Sequence, residues 1–323
     1  MMIKNNNGSR QVNGYIKKFL VLVFVVLLSG CNLIHNQKQI DGYFIDSNEL
    51  LAKGYTFERV EIRRFLEVNE VFSVSSEEEL ALLIMKNFEN NTVRTNYISE
   101  EDLSLQHVYL FIETLLPDSF YLQAGRVVYS DPLGSESIPT RFVDVVIDND
   151  RFQQSTLASE RIIEELSLNG LSDRNKVKAI HDYIILNAAY DEPLLELDIS
   201  TYQNHPSFTP YGIYYLNTAV CSGYARAFMQ LTRLVNIPSV MVSSQNMNHA
   251  WNMVYVDGEW LFLDVTWNDP IPDREGRVLY TYYLKSLEQF KAKGHHFFDL
   301  GSDQTLGIDQ VIEYANFAFA MND

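Results

Sequence analysis

Three side chains of the chain together supply the groups needed for nucleophilic acyl transfer: Cys221, His249 and Asp264. In such a set the carboxylate holds one nitrogen of the imidazole, and the other nitrogen takes the proton of the thiol. The resulting thiolate attacks a carbonyl carbon and forms an acyl-thioester, which water or an amine then releases. Whether the three side chains can meet depends on the elements that carry them.

Cys221 stands at the predicted start of a helix. After it, apolar side chains recur at helical spacing until the segment 236–238, which contains a proline and ends the pattern. These apolar positions are Tyr224, Phe228, Leu231 and Val235. The unpaired amides and the positive dipole end of the first turn would favour a thiolate at Cys221.

His249 and Asp264 fall on the two arms of a predicted β-hairpin. Asp257-Gly258 is a strong two-residue turn signal, and it joins predicted strands over residues 248–256 and 259–267. In that register the two side chains project from the same face as diagonal neighbours, about 7–8 Å apart at the backbone. A three-residue loop would instead place them on opposite faces.

Each of these residues also has a purely structural interpretation. A single cysteine is often a small buried hydrophobe, and His249 and Asp264 could be ordinary strand and turn residues. His181 lies on or beside the apolar face of a predicted helix and is expected to be a core histidine. His295-His296 are adjacent, so their rings should point apart, and no second thiol is near. We therefore predict no metal site and no cofactor.

The N-terminus has the features of an export signal. Lys17-Lys18 precede an apolar run over residues 19–28, which is shorter than the roughly 20 residues of a membrane span. Ser29-Gly30 then precede Cys31. The pattern resembles a bacterial lipoprotein signal, in which Cys31 is lipidated and becomes the first residue of the mature chain. An uncleaved anchor helix over residues 16–34 is the alternative, and in either case the body would lie outside the cytoplasmic membrane.

Charge restricts the partners of the exported chain. The formal net charge is −17, and it becomes −21 when residues 1–30 are removed, because they carry four basic residues and no acidic one. Such a chain repels nucleic-acid phosphates and anionic lipid. We expect a peptide or protein substrate, with cell-wall peptide as one candidate, no nucleic acid, and membrane attachment through the lipid on Cys31.

The pattern of elements predicts an α+β protein. We expect a signal peptide over residues 1–30 and a tether over 31–47. A small mixed α/β N-terminal region over 48–150 would precede a domain over 151–323 that carries the three reactive residues. With Cys31 consumed by lipidation, Cys221 has no disulfide partner and remains a free thiol.

Three segments resemble the transglutaminase-like superfamily, especially its bacterial surface members. They are Ala219-Val-Cys-Ser-Gly-Tyr-Ala225, Asn248-His-Ala-Trp-Asn252 and Leu263-Asp-Val-Thr-Trp-Asn-Asp269. The resemblance covers about residues 155–298, and it includes the helix that ends at Tyr190-Asp191 and, weakly, residues 280–296. It implies a papain-like α+β core in which the helix that begins with the cysteine packs on an antiparallel sheet.

The resemblance also implies roles for individual residues. Cys221 would be the nucleophile, His249 the base and Asp264 the residue that orients the imidazole. The oxyanion would be stabilised by an amide at the nucleophile together with an upstream side chain, for which Tyr215 and Tyr190 are both candidates. Trp251 and Trp267 fall where family members carry aromatic residues beside the triad, although a packing role would explain them equally well.

Three functions remain open at the level of the sequence. The first is a lipid-anchored thiol enzyme that hydrolyses peptide or amide bonds outside the membrane. The second is a protein-crosslinking transglutaminase; eukaryotic members depend on calcium, and the sequence contains no calcium loop of the EF-hand type. The third is a catalytically silent binding module that uses the same cleft, since some relatives have lost catalysis.

Overall fold

The computed structural model describes residues 58–59, 71–89, 94–117, 119, 122–124, 128–130, 140–147, 149–196, 205–296 and 306–319. All of them belong to one compact unit, Gly42–Asp323. The predicted signal peptide, the tether and the lipidation site Cys31 lie outside the described residues. Within the described part of the chain, no helix combines the length and apolar character needed to cross a membrane.

The described N-terminal residues form a mixed sheet and two helices. The strands are β1 (Glu58–Arg59), β2 (Val71–Ser73), β3 (Arg94–Ile98), β4 (Leu122–Ala124), β5 (Val128–Ser130) and β6 (Thr140–Ile147), and the helices are α1 (Glu77–Glu89) and α2 (Leu105–Leu115). The sheet has the order β1-β2-β3-β6-β4, with β5 also paired to β6. Strands β2 and β3 are parallel, whereas the other pairs are antiparallel.

The C-terminal part places helices around a three-stranded antiparallel sheet. The strands are β7 (Ala189–Tyr190), β8 (Thr218–Ala219), β9 (Ser239–Ser244), β10 (His249–Val256) and β11 (Glu259–Leu263). The helices are α3 (Asn149–Leu166), α4 (Asp173–Asn187), α5 (Cys221–Leu234), α6 (Val265–Asn268), α7 (Leu287–Lys291) and α8 (Ile308–Ala318). The sheet has the order β11-β10-β9, and a separate parallel pair joins β7 to β8 just before α5.

Helix α5 is buried between helix α4 and the antiparallel sheet. Its apolar side chains Tyr224 and Phe228 join the same core as Ile180 of α4 and Val254 of β10. Asn252 of β10 also donates a side-chain hydrogen bond to Ala225 O at 3.0 Å. The predicted fold class, α+β with the cysteine-bearing helix packed on an antiparallel sheet, is confirmed.

The opposite face of the sheet is covered by the N-terminal helices. Because side chains alternate along a strand, Trp251 and Met253 of β10 point away from α5 and join a second core with Leu83 of α1 and Ile112 of α2. Arg226 of α5 also pairs with Glu113 of α2. The boundary near residue 150 stays a prediction, but the hydrophobic core extends across it.

The hairpin of β10 and β11 has the predicted register, but its second arm is shorter. Val256 pairs with Glu259, and the pairing continues to Asn252 and Leu263. The strand predicted to reach residue 267 ends at Leu263, because Asp264 leaves the sheet and caps the short helix α6. Asp264 is therefore a helix cap and not, as predicted, a strand residue diagonal to His249.

Candidate active site

Cys221 occupies the first turn of α5, as predicted. The preceding residue, Val220, is extended and supplies no side-chain cap, and its carbonyl accepts the N–H groups of Gly223 and Tyr224 at 2.8 and 3.1 Å. The amide of Cys221 itself is therefore not used by the helix. The thiol is free and partly exposed.

The segment before α5 packs tightly against its first turn. Ser207 O accepts the N–H of Val220 at 3.0 Å, and Ser207 Oγ donates to Asp191 Oδ2 at 2.5 Å. A Cβ atom at Gly223 would lie 2.3 Å from Ser207 O, so only glycine fits at that position. Ser207 and the chain around it thus fix the helix end that presents the thiol.

The His249 ring links Asp264 to Cys221. Its Nε2 lies 2.7 Å from Asp264 Oδ2, and the ring is near enough to Cys221 for the sulfur to raise the pKa of the imidazole. Because Nε2 is bonded to the carboxylate, Nδ1 is the nitrogen that remains for the sulfur. The ring lies almost parallel to that of Trp267, with centroids 5.0 Å apart.

Asp264 is fully buried and anchored at both carboxylate oxygens. Its Oδ1 accepts the backbone N–H of Trp267 at 2.9 Å, in the manner of a helix N-cap. Its own N–H donates to Tyr282 O at 2.9 Å. Burial alone would raise the pKa of Asp264, but the charge of His249 and the hydrogen bonds from His249, His295 and Trp267 hold it below its ordinary value.

The same interactions change the proton affinity of the imidazole. Burial lowers the pKa of His249, but the charge of Asp264 and its hydrogen bond, together with the contact with Cys221, raise it to about 10. The favoured state of the pair is thus an ionised Asp264 with a protonated His249. An imidazolium beside a thiol is the arrangement that stabilises a thiolate nucleophile.

A second histidine, His295, contacts the same carboxylate oxygen. Its Nε2 lies 2.8 Å from Asp264 Oδ2, and the residue is 1% exposed. The sequence pattern around His295 argues only against a metal site and gives no sign that this ring lies beside Asp264. The weak family resemblance over residues 280–296 was the one signal that included it.

Residues 160–265 match the family model of the transglutaminase-like superfamily, and this range contains Cys221, His249 and Asp264. These residues form a transglutaminase-like domain. The predicted resemblance is thereby confirmed for this part of the chain.

Two curated relatives carry the same printed name, kyphoscoliosis peptidase. The mouse protein is 26% identical over 126 residues, which are 35% of this chain and 18% of the relative. The human protein is 25% identical over 128 residues, which are 35% of this chain and 19% of the relative. The matched part thus spans about a fifth of each relative's length.

Two solved structures are similar in part. A structure described as a TGase has a TM-score of 0.32 and 17% identity, covering 61% of this chain and 58% of its own. A proposed cysteine protease from Cytophaga hutchinsonii has a TM-score of 0.28 and 16% identity, covering 46% and 64%. Both TM-scores are low, and neither likeness supports an inference about this chain.

The two tyrosines predicted as oxyanion candidates occupy different places in the transglutaminase-like domain. The Tyr190 hydroxyl interacts with the backbone N–H of Cys221, and burial, followed by the nearby Cys221, raises the pKa of Tyr190 well above its ordinary value. Tyr190 therefore keeps its proton and can donate it in a hydrogen bond. The Tyr215 hydroxyl instead donates to Gln154 O at 3.1 Å and accepts from Arg161 on helix α3.

The two predicted cleft tryptophans also differ. Trp267 is half-buried and stacks on the His249 ring, so it can form a wall of the site. Trp251 is 1% exposed and belongs to the core shared with the N-terminal helices. Its edge contacts His295, with ring centroids 4.9 Å apart.

His181 is buried, as predicted, and supports the segment that follows Asp264. Its Nδ1 lies 2.9 Å from Asp182 Oδ1, and its Nε2 lies 3.0 Å from Asn268 Nδ2. Asn268 Oδ1 in turn accepts the N–H of Tyr282 at 2.9 Å. This chain of hydrogen bonds fixes helix α6, which begins at Asp264.

Among the described residues, one group has the composition of a metal site: His249, Asp264 and His295, whose ligand atoms lie within 4.8 Å of one another. Both Nε2–Oδ2 separations, 2.7 and 2.8 Å, are direct hydrogen-bond lengths. The three side chains are also almost completely buried. We therefore describe the group as hydrogen-bonded side chains and not as metal ligands.

Proposed function

We propose that the protein is a thiol acyl-transfer enzyme that hydrolyses peptide or amide bonds. The observation that carries the proposal is the position of the His249 ring between Asp264 and Cys221. Cys221 is the first residue of helix α5. The match of residues 160–265 to the transglutaminase-like superfamily supports it. The peptidase name printed for the two curated relatives is in keeping with cleavage.

The proposed reaction has two halves. The Cys221 thiolate attacks the carbonyl carbon of the amide, and the Cys221 amide and the Tyr190 hydroxyl donate hydrogen bonds to the developing oxyanion. The carbon–nitrogen bond breaks as His249 gives its proton to the departing amine, leaving an acyl-thioester. His249 then takes a proton from water as the water attacks the thioester. The carbon–sulfur bond breaks, which releases the acid and restores the Cys221 thiolate beside a protonated His249.

We further propose that the enzyme acts outside the cytoplasmic membrane, attached by a lipid on Cys31. The support is the sequence alone: Lys17-Lys18, the apolar run over residues 19–28 and the small pair before Cys31. Mass spectrometry of the N-terminal peptide from membranes would test this directly. An acylated peptide that begins at Cys31 is expected, and Cys31→Ser should release the protein from the membrane; an unmodified Cys31 would contradict the proposal.

The catalytic proposal is tested first by the reactivity of the thiol. Iodoacetamide labelling is followed by mass spectrometry of the Cys221 peptide, with N-acetylcysteine as the reference thiol. Labelling of Cys221 at pH 6–7 should be faster than labelling of the reference, and His249→Ala should remove the difference. Equal rates for Cys221 and the reference would favour a silent binding module.

Hydrolysis and crosslinking are then separated in one incubation. The protein is mixed with casein and a labelled primary amine, and fragments and incorporated label are both measured. Cleavage without incorporation, lost in Cys221→Ala, is the result expected of a hydrolase. Incorporation of the amine would assign transamidation to the same site instead.

A further inference from the structure

We propose that His295 is a positioning residue of this site: as a neutral donor it holds the Asp264 carboxylate, and through that carboxylate it orients the His249 ring. The catalytic value of orienting His249 rests on the proposed function. The hydrogen-bond role itself can be tested whether or not the protein is an enzyme.

The geometry of the carboxylate carries the proposal. Asp264 Oδ2 contacts His249 Nε2 at 2.7 Å and His295 Nε2 at 2.8 Å, while Oδ1 accepts the N–H of Trp267 at 2.9 Å. A carboxylate held only by His249 and Trp267 could still tilt about its Cβ–Cγ bond. The third donor is Nε2 of His295. Because the His295 side chain is fully buried and cannot move freely, its hydrogen bond to Oδ2 fixes the tilt of the carboxylate.

The unpaired nitrogen of His295 indicates its protonation state. Nδ1 is buried and has no hydrogen-bond partner among the described residues. A protonated ring would bury an unsatisfied N–H there, whereas the neutral form with its proton on Nε2 leaves only an unused lone pair. Burial, joined by the charges of His249 and His296, lowers the pKa of His295 despite the opposing contact with Asp264.

A neutral second donor fits the role better than a charged one. If both rings were cations, they would share one negative charge, and the carboxylate would hold His249 less strongly. The ring of His295 is clamped by aromatic neighbours, with centroids 3.8 Å from Phe290 and 4.4 Å from Trp267. His295 can therefore position Asp264 without competing for its charge.

The protonation state is tested by imidazole ¹H–¹⁵N spectra of the full-length protein labelled with ¹⁵N-histidine. His295 is assigned by loss of its signals in His295→Gln. We expect a neutral Nε2–H tautomer that does not change between pH 5 and 9, and a His249 that stays protonated through neutral pH. A His295 that titrates in this range, or carries its proton on Nδ1, would overturn the proposal.

The positioning role is tested by the rate of iodoacetamide labelling of Cys221 across the same pH range. His295→Gln keeps an N–H donor and should retain the rate within about twofold, whereas His295→Leu should slow it about tenfold or more, since a misplacement of 1 Å can cost about 100-fold. Phe290→Leu is the matched control, because it loosens the same pocket and leaves the donor in place. Equal slowing in Phe290→Leu and His295→Leu would reduce His295 to a packing residue.

Two further results keep this proposal separate from the proposed function. If wild-type Cys221 is no more reactive than N-acetylcysteine, the enzyme proposal fails, and the spectra alone decide the role of His295. Addition of Zn²⁺ tests the alternative interpretation, in which His249, Asp264 and His295 bind a metal ion. A large Zn²⁺-dependent rise in Tm that disappears in both His295 variants would identify a metal site and overturn the positioning role; no such rise is expected.

Discussion

The hydroxyl of Tyr224 donates a fully buried hydrogen bond to Asp269 Oδ2 over 2.6 Å. Tyr224 belongs to the helix that begins at Cys221, and Asp269 immediately follows the helix capped by Asp264. The contact therefore ties the helix that begins at Cys221 to the helix that is capped by Asp264. Burial, with the charge of Asp273, raises the pKa of Asp269 to about 7, although the Tyr224 hydrogen bond opposes this shift.

Asp269 should make the folding stability depend on pH. A carboxyl whose pKa is higher in the folded state contributes stability below its unfolded value of about 4 and loses it as pH rises toward 7. Relative to Asp269→Asn, which preserves the acceptor, wild type should lose up to about 4 kcal/mol over this interval, since the pKa rises from about 4 to about 7 and a pKa difference of one is worth about 1.4 kcal/mol. Urea unfolding at pH 4 to 8 measures this. A stability difference between the two proteins that is constant with pH would contradict the burial argument.

His249 should make the folding stability depend on pH in a more alkaline range than Asp269 does. Its pKa is raised to about 10 in the folded protein, so its contribution is complete below the unfolded value of about 6.5 and is lost as pH rises through 10. The stability advantage of wild type over His249→Gln should therefore shrink between pH 6.5 and 10. Chemical unfolding in buffers across that range measures it, with His181→Gln as the control, because burial lowers the pKa of His181 and leaves it neutral there.

Gly223→Ala should displace the first turn of the nucleophile helix. The new Cβ would lie 2.3 Å from the backbone oxygen of Ser207, which cannot move without breaking its bond to Val220 N. Overpacking of this kind costs about 1–3 kcal/mol, and iodoacetamide labelling of Cys221 should slow as well. Ser222→Ala is the control on the same turn; it loses a buried hydroxyl without a partner and should stay within about 0.5 kcal/mol of wild type.

Tyr190→Phe and Tyr215→Phe should separate the two oxyanion candidates. Loss of an oxyanion donor lowers kcat by about 100-fold or more, and we expect this for Tyr190→Phe with a small change in KM. Iodoacetamide labelling, which forms no oxyanion, should be retained in the same variant. Tyr215→Phe should leave kcat unchanged, because the Tyr215 hydroxyl is engaged by Gln154 and Arg161. A larger loss of kcat in Tyr215→Phe than in Tyr190→Phe would reverse the assignment.

The sequence predicted the local features of the site well. The spacing of apolar residues placed Cys221 on the first turn of a helix, and Asp257-Gly258 fixed the register of the hairpin. The error at Asp264 has a local cause. Val265-Thr-Trp267 resembles strand sequence, but the Asp264 side chain can accept the N–H of Trp267, and this cap starts a helix instead.

The position of His295 beside Asp264 could not be predicted from the sequence, because it depends on long-range packing. His295 reaches Asp264 because Phe290 and Trp251 enclose its ring, and no periodicity near residue 295 encodes that contact. The different positions of Tyr190 and Tyr215 have the same origin. Both precede Cys221 at plausible spacing, and the pairing of β7 with β8 brings Tyr190 beside Cys221.

Trp251 links the matched domain to the N-terminal helices. Its side chain belongs to the same hydrophobic core as Leu83 and Ile112, and its ring packs against that of His295 at a centroid distance of 4.9 Å. A fragment that began near residue 160 would expose this tryptophan and its apolar neighbours to water, with aggregation as the outcome to anticipate. Mutations in residues 77–115, far from Cys221 in the chain, could thereby alter the reactive centre by repacking the indole.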